Sequence, residues 1–212
     1  SLSTGKAERL SSQLIVVDNA SSDGSVDMLQ KEYPHVHLIA NDQNLGFTRG
    51  NNQGIAAGDG RYVLLLNPDT EVVGDALAEM VSHMENHPRV GALGPQLLHP
   101  DGRVQSSRRR FPTLKTAFVE STPLQQWFFM YSEEMDWCYR AKERGWRVVY
   151  LPAAQVVHHE GKSSEQVLPV RHVQFQRSKV LFIKKHYGGG RGEVLRLYLL
   201  ATYLWQTMVE GL

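Results

Sequence analysis

Two carboxylates stand shortly after apolar runs of this chain and could do chemistry there. Asp18 directly follows the run 14–17, and Asp69 closes the turn that follows the run 63–66. Each run has the length of a buried strand, and parallel strands deliver the residues after them to one edge of a sheet. That edge is where open α/β sheets usually bind ligands. The two acids therefore predict a ligand site.

Asp69 and His158 form the candidate metal site. A nucleotide diphosphate beside a sheet edge needs a divalent cation, and oxygen donors with one imidazole suit Mg or Mn. His158 ends a late predicted strand and could supply the imidazole. Simpler interpretations stay open. Residues 67–70 also fit an ordinary turn with a helix cap, Asp18 fits a loop acid, and a lone histidine is more often a hydrogen-bonded core or loop residue.

Three acids crowd the start of a predicted helix. Glu133, Glu134 and Asp136 lie within four positions, and neighbouring carboxylates raise one another's proton affinity. One of them could therefore act as a general base. The alternative is structural: acids favour a helix N-terminus, and Asp136 has the i,i+4 spacing to pair with Arg140.

Composition bounds the class of protein. The chain has 212 residues, of which 42% are hydrophobic and 21% are charged, so one substantial core is expected. A net charge of +1 gives no overall field for nucleic acid. The single cysteine, Cys138, excludes an internal disulfide. No apolar run reaches the roughly 18 residues that span a bilayer. We expect a cytoplasmic protein, either free or peripheral at the inner face of the membrane.

Hydrophobic periodicity predicts alternating strands and helices, which favours an α/β fold with parallel pairing. The predicted strands cover 14–17, 36–39, 62–66, 90–95, 146–151 and 156–159. The predicted helices cover 26–33, 44–58, 74–86, 132–145, 173–186 and 193–209. A hairpin turn is predicted at 99–103 and a loop over 104–130.

Five motifs in this order resemble family 2 glycosyltransferases of the GT-A fold, nearest to a bacterial rhamnosyltransferase-like branch. They lie at 15–25, 44–52, 66–70, 129–136 and 157–158. The resemblance covers about residues 12 to 165. It implies a three-layer α/β/α sandwich with a mostly parallel central sheet over residues 1–187, followed by a C-terminal amphipathic helix over 188–212.

The resemblance also implies an activity and its residues. The reaction is transfer of a sugar, with rhamnose favoured, from a nucleotide diphosphate donor to a hydroxyl of a glycan or lipid-linked glycan, with inversion and with Mg or Mn as cofactor. Glu134 matches the catalytic base, with Glu133 beside it, and Asp69 and His158 match the metal ligands. The donor-binding set is Asp18, Asn19, Arg49, Asn52, Asn67 and Asp69. Asn67 replaces a commoner aspartate and removes one charge from the metal site.

Two departures from the family pattern concern missing segments. Nothing before Leu14 matches the usual first strand, and 121–126 is too short for the segment that usually lies before the paired glutamates. We therefore expect this chain to join ordered pieces of a longer protein, without its first strand and an acceptor-site segment.

Other functions stay open from sequence alone. A sugar-phosphate nucleotidyltransferase uses a related sheet and metal, and a non-catalytic glycan-binding or scaffold domain would keep the same fold.

The apolar stripe of the last helix predicts packing against its own domain or in a homodimer, with docking on a membrane surface as the alternative. Three consecutive arginines at 108–110 predict either a contact with an acceptor diphosphate or anionic lipid, or a solvated loop.

Overall fold

The computed structural model describes residues 10–107, 111, 133–159 and 168–210. The strands are β1 (Ile15–Asp18), β2 (His37–Ala40), β3 (Thr70–Val73), β4 (Val90–Leu98), β5 (Val104–Gln105) and β6 (Arg147–His158). The helices are α1 (Ser25–Glu32), α2 (Phe47–Ala57), α3 (Ala76–Asn86), α4 (Glu133–Glu143), α5 (Leu168–Tyr187) and α6 (Gly189–Glu210). The α/β class predicted from periodicity is thereby confirmed, whereas parallel pairing is found for β1 with β2 and for β4 with β6 but not for the other two strand pairs.

The first sheet consists of β1 and β2, which pair in parallel with Asp18 opposite Ala40. Helix α1 connects them, and its start is fixed by the Asp23 carboxylate, which accepts hydrogen bonds from the Ser25 amide and hydroxyl at 3.1 and 2.6 Å. Helix α2 packs closely on β1. A Cβ added at Gly50 would lie 3.2 Å from Asn19 Nδ2, which is tighter than most Cβ contacts, so the glycine permits this approach.

The second sheet has four strands in the order β3-β6-β4-β5. Strand β6 runs parallel to β4 and antiparallel to β3. The predicted hairpin turn is confirmed: His99 and Arg103 join through a 2.8 Å backbone hydrogen bond, and β5 returns antiparallel to β4. Helix α3 covers this sheet, and Ala76 and Met80 pack there against Ala154 of β6.

The described residues form two sheets rather than the single mostly parallel sheet that was predicted. The prediction of a strand over 62–66 is wrong for this structure, because these residues pair with no described strand and the side chains of residues 63–66 are 46 to 57% exposed. An apolar run becomes a strand only where a neighbour satisfies its backbone groups. Strand β3 was not predicted, and the two strands predicted over 146–159 form one continuous β6.

The C-terminal helices α5 and α6 form a core of their own. Val180, Phe182 and Ile183 of α5 pack against Leu195 and Leu199 of α6. Gly188 separates the two helices with φ of 102°, a conformation that favours glycine. No helix in the part of the chain that the structure describes is long and apolar enough to cross a membrane.

Candidate functional site

Asp69 and His158 lie side by side at one end of the second sheet. Strand β3 begins directly after Asp69, and its first residue, Thr70, stands opposite His158 in the antiparallel register with β6. The His159 amide donates to the Asp69 carbonyl oxygen at 2.8 Å, which extends the strand pairing to Asp69 itself. As a result, His158 Nε2 lies 3.5 Å from Asp69 Oδ1, and the Asp69 side chain is 12% exposed.

The turn before β3 fixes the orientation of Asp69. The Thr70 hydroxyl donates to the Asn67 carbonyl oxygen at 2.6 Å and closes the turn through Pro68. Asn67 itself is exposed. The turn interpretation of this segment is therefore correct, but the turn opens a strand and does not cap a helix.

Gln105 supports the histidine and was missed at the sequence level. Its Oε1 lies 3.0 Å from His158 Nδ1, and the residue is 7% exposed on β5. An amide oxygen only accepts, so in this arrangement the Nδ1 proton points towards Gln105 and Nε2 faces the Asp69 carboxylate. An imidazole nitrogen and a carboxylate that face each other in this way can be bridged by a proton or by a metal cation. No sequence signal identified Gln105, because residues 104–130 were predicted as a loop and β5 lies within them.

This donor set fits a divalent cation held partly by substrate. Mg²⁺ and similar hard cations are usually bound through one or two protein ligands together with substrate phosphates and water. The described residues contain no group of three or more His, Cys, Asp or Glu side chains placed to hold a metal. Asp69 and His158 thus suit a site that a bound diphosphate completes, with Gln105 in the outer-sphere role that orients a ligating histidine.

Asp18 ends β1 and is 8% exposed. Its Oδ1 accepts a 2.9 Å hydrogen bond from the Ser21 amide, so the carboxylate orders the loop that follows the strand. Ala20 in this loop has a positive φ of 65°, which few residues other than glycine adopt. The carboxylate therefore has a loop-ordering role in this structure, as the simpler interpretation predicted, in addition to any role in binding.

A network of side-chain amides links Asn19 to α2. Asn41 Nδ2 donates to Asn19 Oδ1 at 3.0 Å and to Gln53 Oε1 at 2.9 Å, and Gln53 returns a 2.9 Å hydrogen bond to Asn41 Oδ1. The network holds the ends of β1 and β2 against α2. On this helix Arg49 and Asn52 are exposed and three positions apart, so they share one face. Of these residues, sequence analysis missed Asn41 and Gln53.

Glu133 and Glu134 are the first two residues of α4, close to the predicted helix start. Their side chains lie outside the described part of the structure, as do residues 108–110 and 121–126. The relation of Glu134 to the Asp69 and His158 pair therefore stays a prediction.

Asp136 has a structural role. The pairing with Arg140 that the sequence analysis gave as the structural alternative to a general base is part of it. Arg140 Nε lies 2.9 Å from its carboxylate at the i,i+4 spacing, while Lys185 Nζ and His186 Nε2 reach it from α5 at 2.8 and 2.7 Å. Partial burial raises the pKa of Asp136, but these three donors outweigh it and lower the pKa to about 2. A carboxylate with so low a pKa is a weak base, and its oxygens are already taken by the donors that join α4 to α5, so Asp136 is unsuitable as a general base.

The chain is similar to a known family and to several individual proteins. The family model described as "Glycosyl transferase family 2" matches residues 6–143. An N-acetylglucosaminyl-diphospho-decaprenol L-rhamnosyltransferase of Mycobacterium tuberculosis is 26% identical over 233 residues, covering 83% of this chain and 76% of the relative. The low-salt glycan biosynthesis hexosyltransferase Agl10 of Haloferax volcanii is 23% identical, covering 81% and 64%. The succinoglycan biosynthesis protein ExoO of Rhizobium meliloti is 31% identical over 131 residues, covering 55% and 36%.

Proposed function

Since this chain belongs to glycosyl transferase family 2, as its five motifs predicted, and is a sugar-transferring enzyme, we propose that its donor is a nucleotide diphosphate sugar held at Asp69 and His158. The observation that carries the proposal is the 3.5 Å approach of these two side chains, with Gln105 behind the imidazole. A bound Mg or Mn ion would supply positive charge to the diphosphate leaving group.

The reaction proposed is a single displacement with inversion. The acceptor hydroxyl oxygen forms a bond to the anomeric carbon while the bond from that carbon to the diphosphate oxygen breaks. The hydroxyl proton passes to the Glu134 carboxylate, and the nucleotide diphosphate leaves with the electron pair. Glu133 lies beside the base. Glu134 is the assigned base because it matches the catalytic position of the family, and Asp136 is already held by Arg140, Lys185 and His186.

Donor recognition is proposed for the end of the first sheet. Asp18 and Asn19 would contact the nucleobase, with Arg49 and Asn52 near the base or the diphosphate and Asn67 beside the metal site. The amide network supports this assignment, since it holds α2, the helix that carries Arg49 and Asn52, against the ends of β1 and β2.

The names of the relatives support a proposal for the acceptor and the sugar. The Mycobacterium tuberculosis relative is named for a diphospho-decaprenol acceptor and for rhamnose, and other relatives are named for glycan or succinoglycan biosynthesis. We propose a polyprenyl-linked glycan as acceptor in polysaccharide biosynthesis and deoxythymidine diphosphate rhamnose as the first donor to test.

Donor binding can be tested by thermal shift. A ligand at about 100 times its dissociation constant stabilises a protein by about 2.7 kcal/mol, which for a chain of this size raises Tm by several degrees. We expect one nucleotide diphosphate sugar to do so with Mg or Mn and to lose the effect with EDTA. A screen of deoxythymidine, uridine and guanosine diphosphate sugars in which none raises Tm and none is consumed with an acceptor would refute the proposal.

The role of Gln105 can be tested apart from catalysis. Removing a residue that orients a metal-ligating histidine typically costs about 10 to 100-fold in metal affinity. We expect Gln105→Leu to weaken Mn²⁺ binding by that factor, measured by electron paramagnetic resonance with nucleotide diphosphate present. Gln96→Leu is the matched control, because Gln96 accepts from Tyr150 on the same sheet without contacting His158. Equal Mn²⁺ affinity in both variants would contradict the role.

A further inference from the structure

The side-chain amide of Asn19 has one orientation that its neighbours can satisfy. Its Nδ2 donates to the carbonyl oxygen of Gly46, the residue directly before α2, at 3.4 Å, and its Oδ1 accepts from Asn41 Nδ2 at 3.0 Å. A carbonyl oxygen only accepts, so a reversed amide would set Asn19 Oδ1 against the Gly46 oxygen and Nδ2 against Nδ2 of Asn41. The nitrogen of Asn19 therefore faces the start of α2, and its oxygen faces Asn41.

Asn41 is itself held on all sides by hydrogen bonds. Besides donating to Asn19, its Nδ2 donates to Gln53 Oε1 at 2.9 Å, and Gln53 Nε2 donates back to Asn41 Oδ1 at 2.9 Å. Its backbone amide donates to the Asp18 carbonyl oxygen at 3.0 Å, directly after β2. Asn41 thus has a fixed place and a fixed amide, and it acts on Asn19 by donating to its oxygen.

Helix α2 leaves room for the Asn19 amide at Gly50. This glycine is buried, and a Cβ added there would lie 3.2 Å from Asn19 Nδ2, closer than most side chains approach. The half-buried Asn19 side chain is therefore confined between α2 and Asn41. A larger residue at position 50 would displace it.

This arrangement decides which kind of atom Asn19 offers to a ligand. Its oxygen is engaged by Asn41, whereas its nitrogen carries two protons and the contact with Gly46 uses one of them. Asn19 therefore presents an N–H donor. The matching group on a nucleobase is a carbonyl oxygen, such as O4 of thymine or O6 of guanine.

We propose that Asn41 is a positioning residue for donor recognition, which holds Asn19 so that an N–H and not an oxygen faces the nucleobase. Gln53 supports this role because it fixes the amide of Asn41. The inference rests on the proposed donor site, in which Asn19 contacts the base. It adds a reason for the amide network that goes beyond holding α2 in place.

Asn41→Asp tests the inference by reversing one hydrogen bond with almost no change of shape. The carboxylate cannot donate to Asn19 Oδ1 but accepts strongly from Asn19 Nδ2, so the Asn19 amide should turn and present its oxygen to the base. Deoxythymidine, uridine and guanosine diphosphates are each titrated with Mn²⁺ by calorimetry. We expect the tightest of them to bind the variant about 10-fold more weakly than the original chain.

Two comparisons separate this effect from the added charge. Inorganic pyrophosphate with Mn²⁺ has no base and should bind the original chain and Asn41→Asp equally. Gln53→Glu adds the same charge to the network, but its carboxylate still accepts from Asn41 Nδ2, so the Asn19 orientation is kept. Gln53→Glu should therefore lose less nucleoside diphosphate affinity than Asn41→Asp does.

A pair of glycine variants gives a second measurement should Asn41→Asp lose its circular dichroism spectrum. Gly50→Ala crowds the Asn19 amide, whereas the Cβ of Gly54→Ala would meet Val17 at 3.4 Å, an ordinary contact. Alanine favours a helix over glycine at both positions, so neither change weakens α2 itself. Gly50→Ala should weaken binding of the nucleoside diphosphate, and Gly54→Ala should keep it.

A double-mutant cycle shows whether Asn41 acts through Asn19. Adding Asn41→Asp to Asn19→Ala should cause no further loss of affinity. Three results would overturn the inference: undiminished nucleoside diphosphate affinity in Asn41→Asp, an equal fall in its pyrophosphate affinity, or losses that add in the cycle. Failure of the original chain to bind any of the three nucleoside diphosphates would instead refute the proposed donor site itself.

Discussion

Replacing Asp69 by Ala is expected to remove metal-dependent donor binding. The side chain is 12% exposed and 3.5 Å from His158, so its loss deletes the only carboxylate of the candidate metal pair. A metal that stabilises a departing phosphate contributes several kcal/mol to the transition state, which corresponds to a decrease in kcat/KM on the order of 10³-fold. Titration calorimetry with nucleotide diphosphate and Mn²⁺ should detect no metal-dependent binding.

The matched control for Asp69 is Glu71→Ala. Glu71 lies two residues after Asp69, in β3, its side chain is 62% exposed, and His159 Nε2 lies 3.8 Å from its carboxylate. The control removes one negative charge from the same strand and should leave Mn²⁺ and donor affinities unchanged. If Asp69→Ala bound donor and metal as well as the control does, the metal assignment would be wrong and His158 would be a structural histidine.

The sequence predicted local structure well where local chemistry determines it. Helix α3 has a regular apolar spacing and was located to within a few residues, and the turn at 99–103 contains Gly102 with φ of 83°. Such elements are specified by residues close in the chain, through periodicity and turn preferences.

The sequence could not predict structure that depends on distant partners. Strand β3 alternates partly buried and exposed residues over only four positions, and it exists because β6 pairs with it from far along the chain. Conversely, the apolar run 63–66 predicts a strand, but its residues pair with no strand in the described part of the chain and are exposed.

Only part of the candidate site could be predicted from the sequence, because the rest depends on contacts between residues far apart in the chain. The register of β3 against β6 brings Asp69 to His158, two residues that the sequence analysis had singled out separately. Gln105 was missed because nothing in its neighbourhood indicates that β5 would carry it to His158. Asp136 was weighed as a base, and the structure adds Lys185 and His186 from α5, which no local pattern could reveal.

Replacing Glu134 by Gln is expected to stop sugar transfer while leaving donor binding intact. Glutamine keeps the shape of the side chain but cannot take up the acceptor proton, and general base catalysis contributes about 10² to 10⁴-fold. The expected result is a fall in kcat of that size, with the thermal shift by the donor unchanged. Quantifying the released nucleotide diphosphate in single-turnover reactions measures the transfer step itself.

Two variants on the same helix separate the base from its neighbours. Glu143→Gln makes the same change at the exposed last residue of α4 and should keep full activity. Glu133→Gln tests the adjacent carboxylate, whose loss should have a smaller effect than that of Glu134. Should Glu133→Gln lose transfer and Glu134→Gln retain it, the base would be Glu133. Near-normal turnover in both variants would exclude this pair, and the proton would then have to pass to a group outside the first turn of α4.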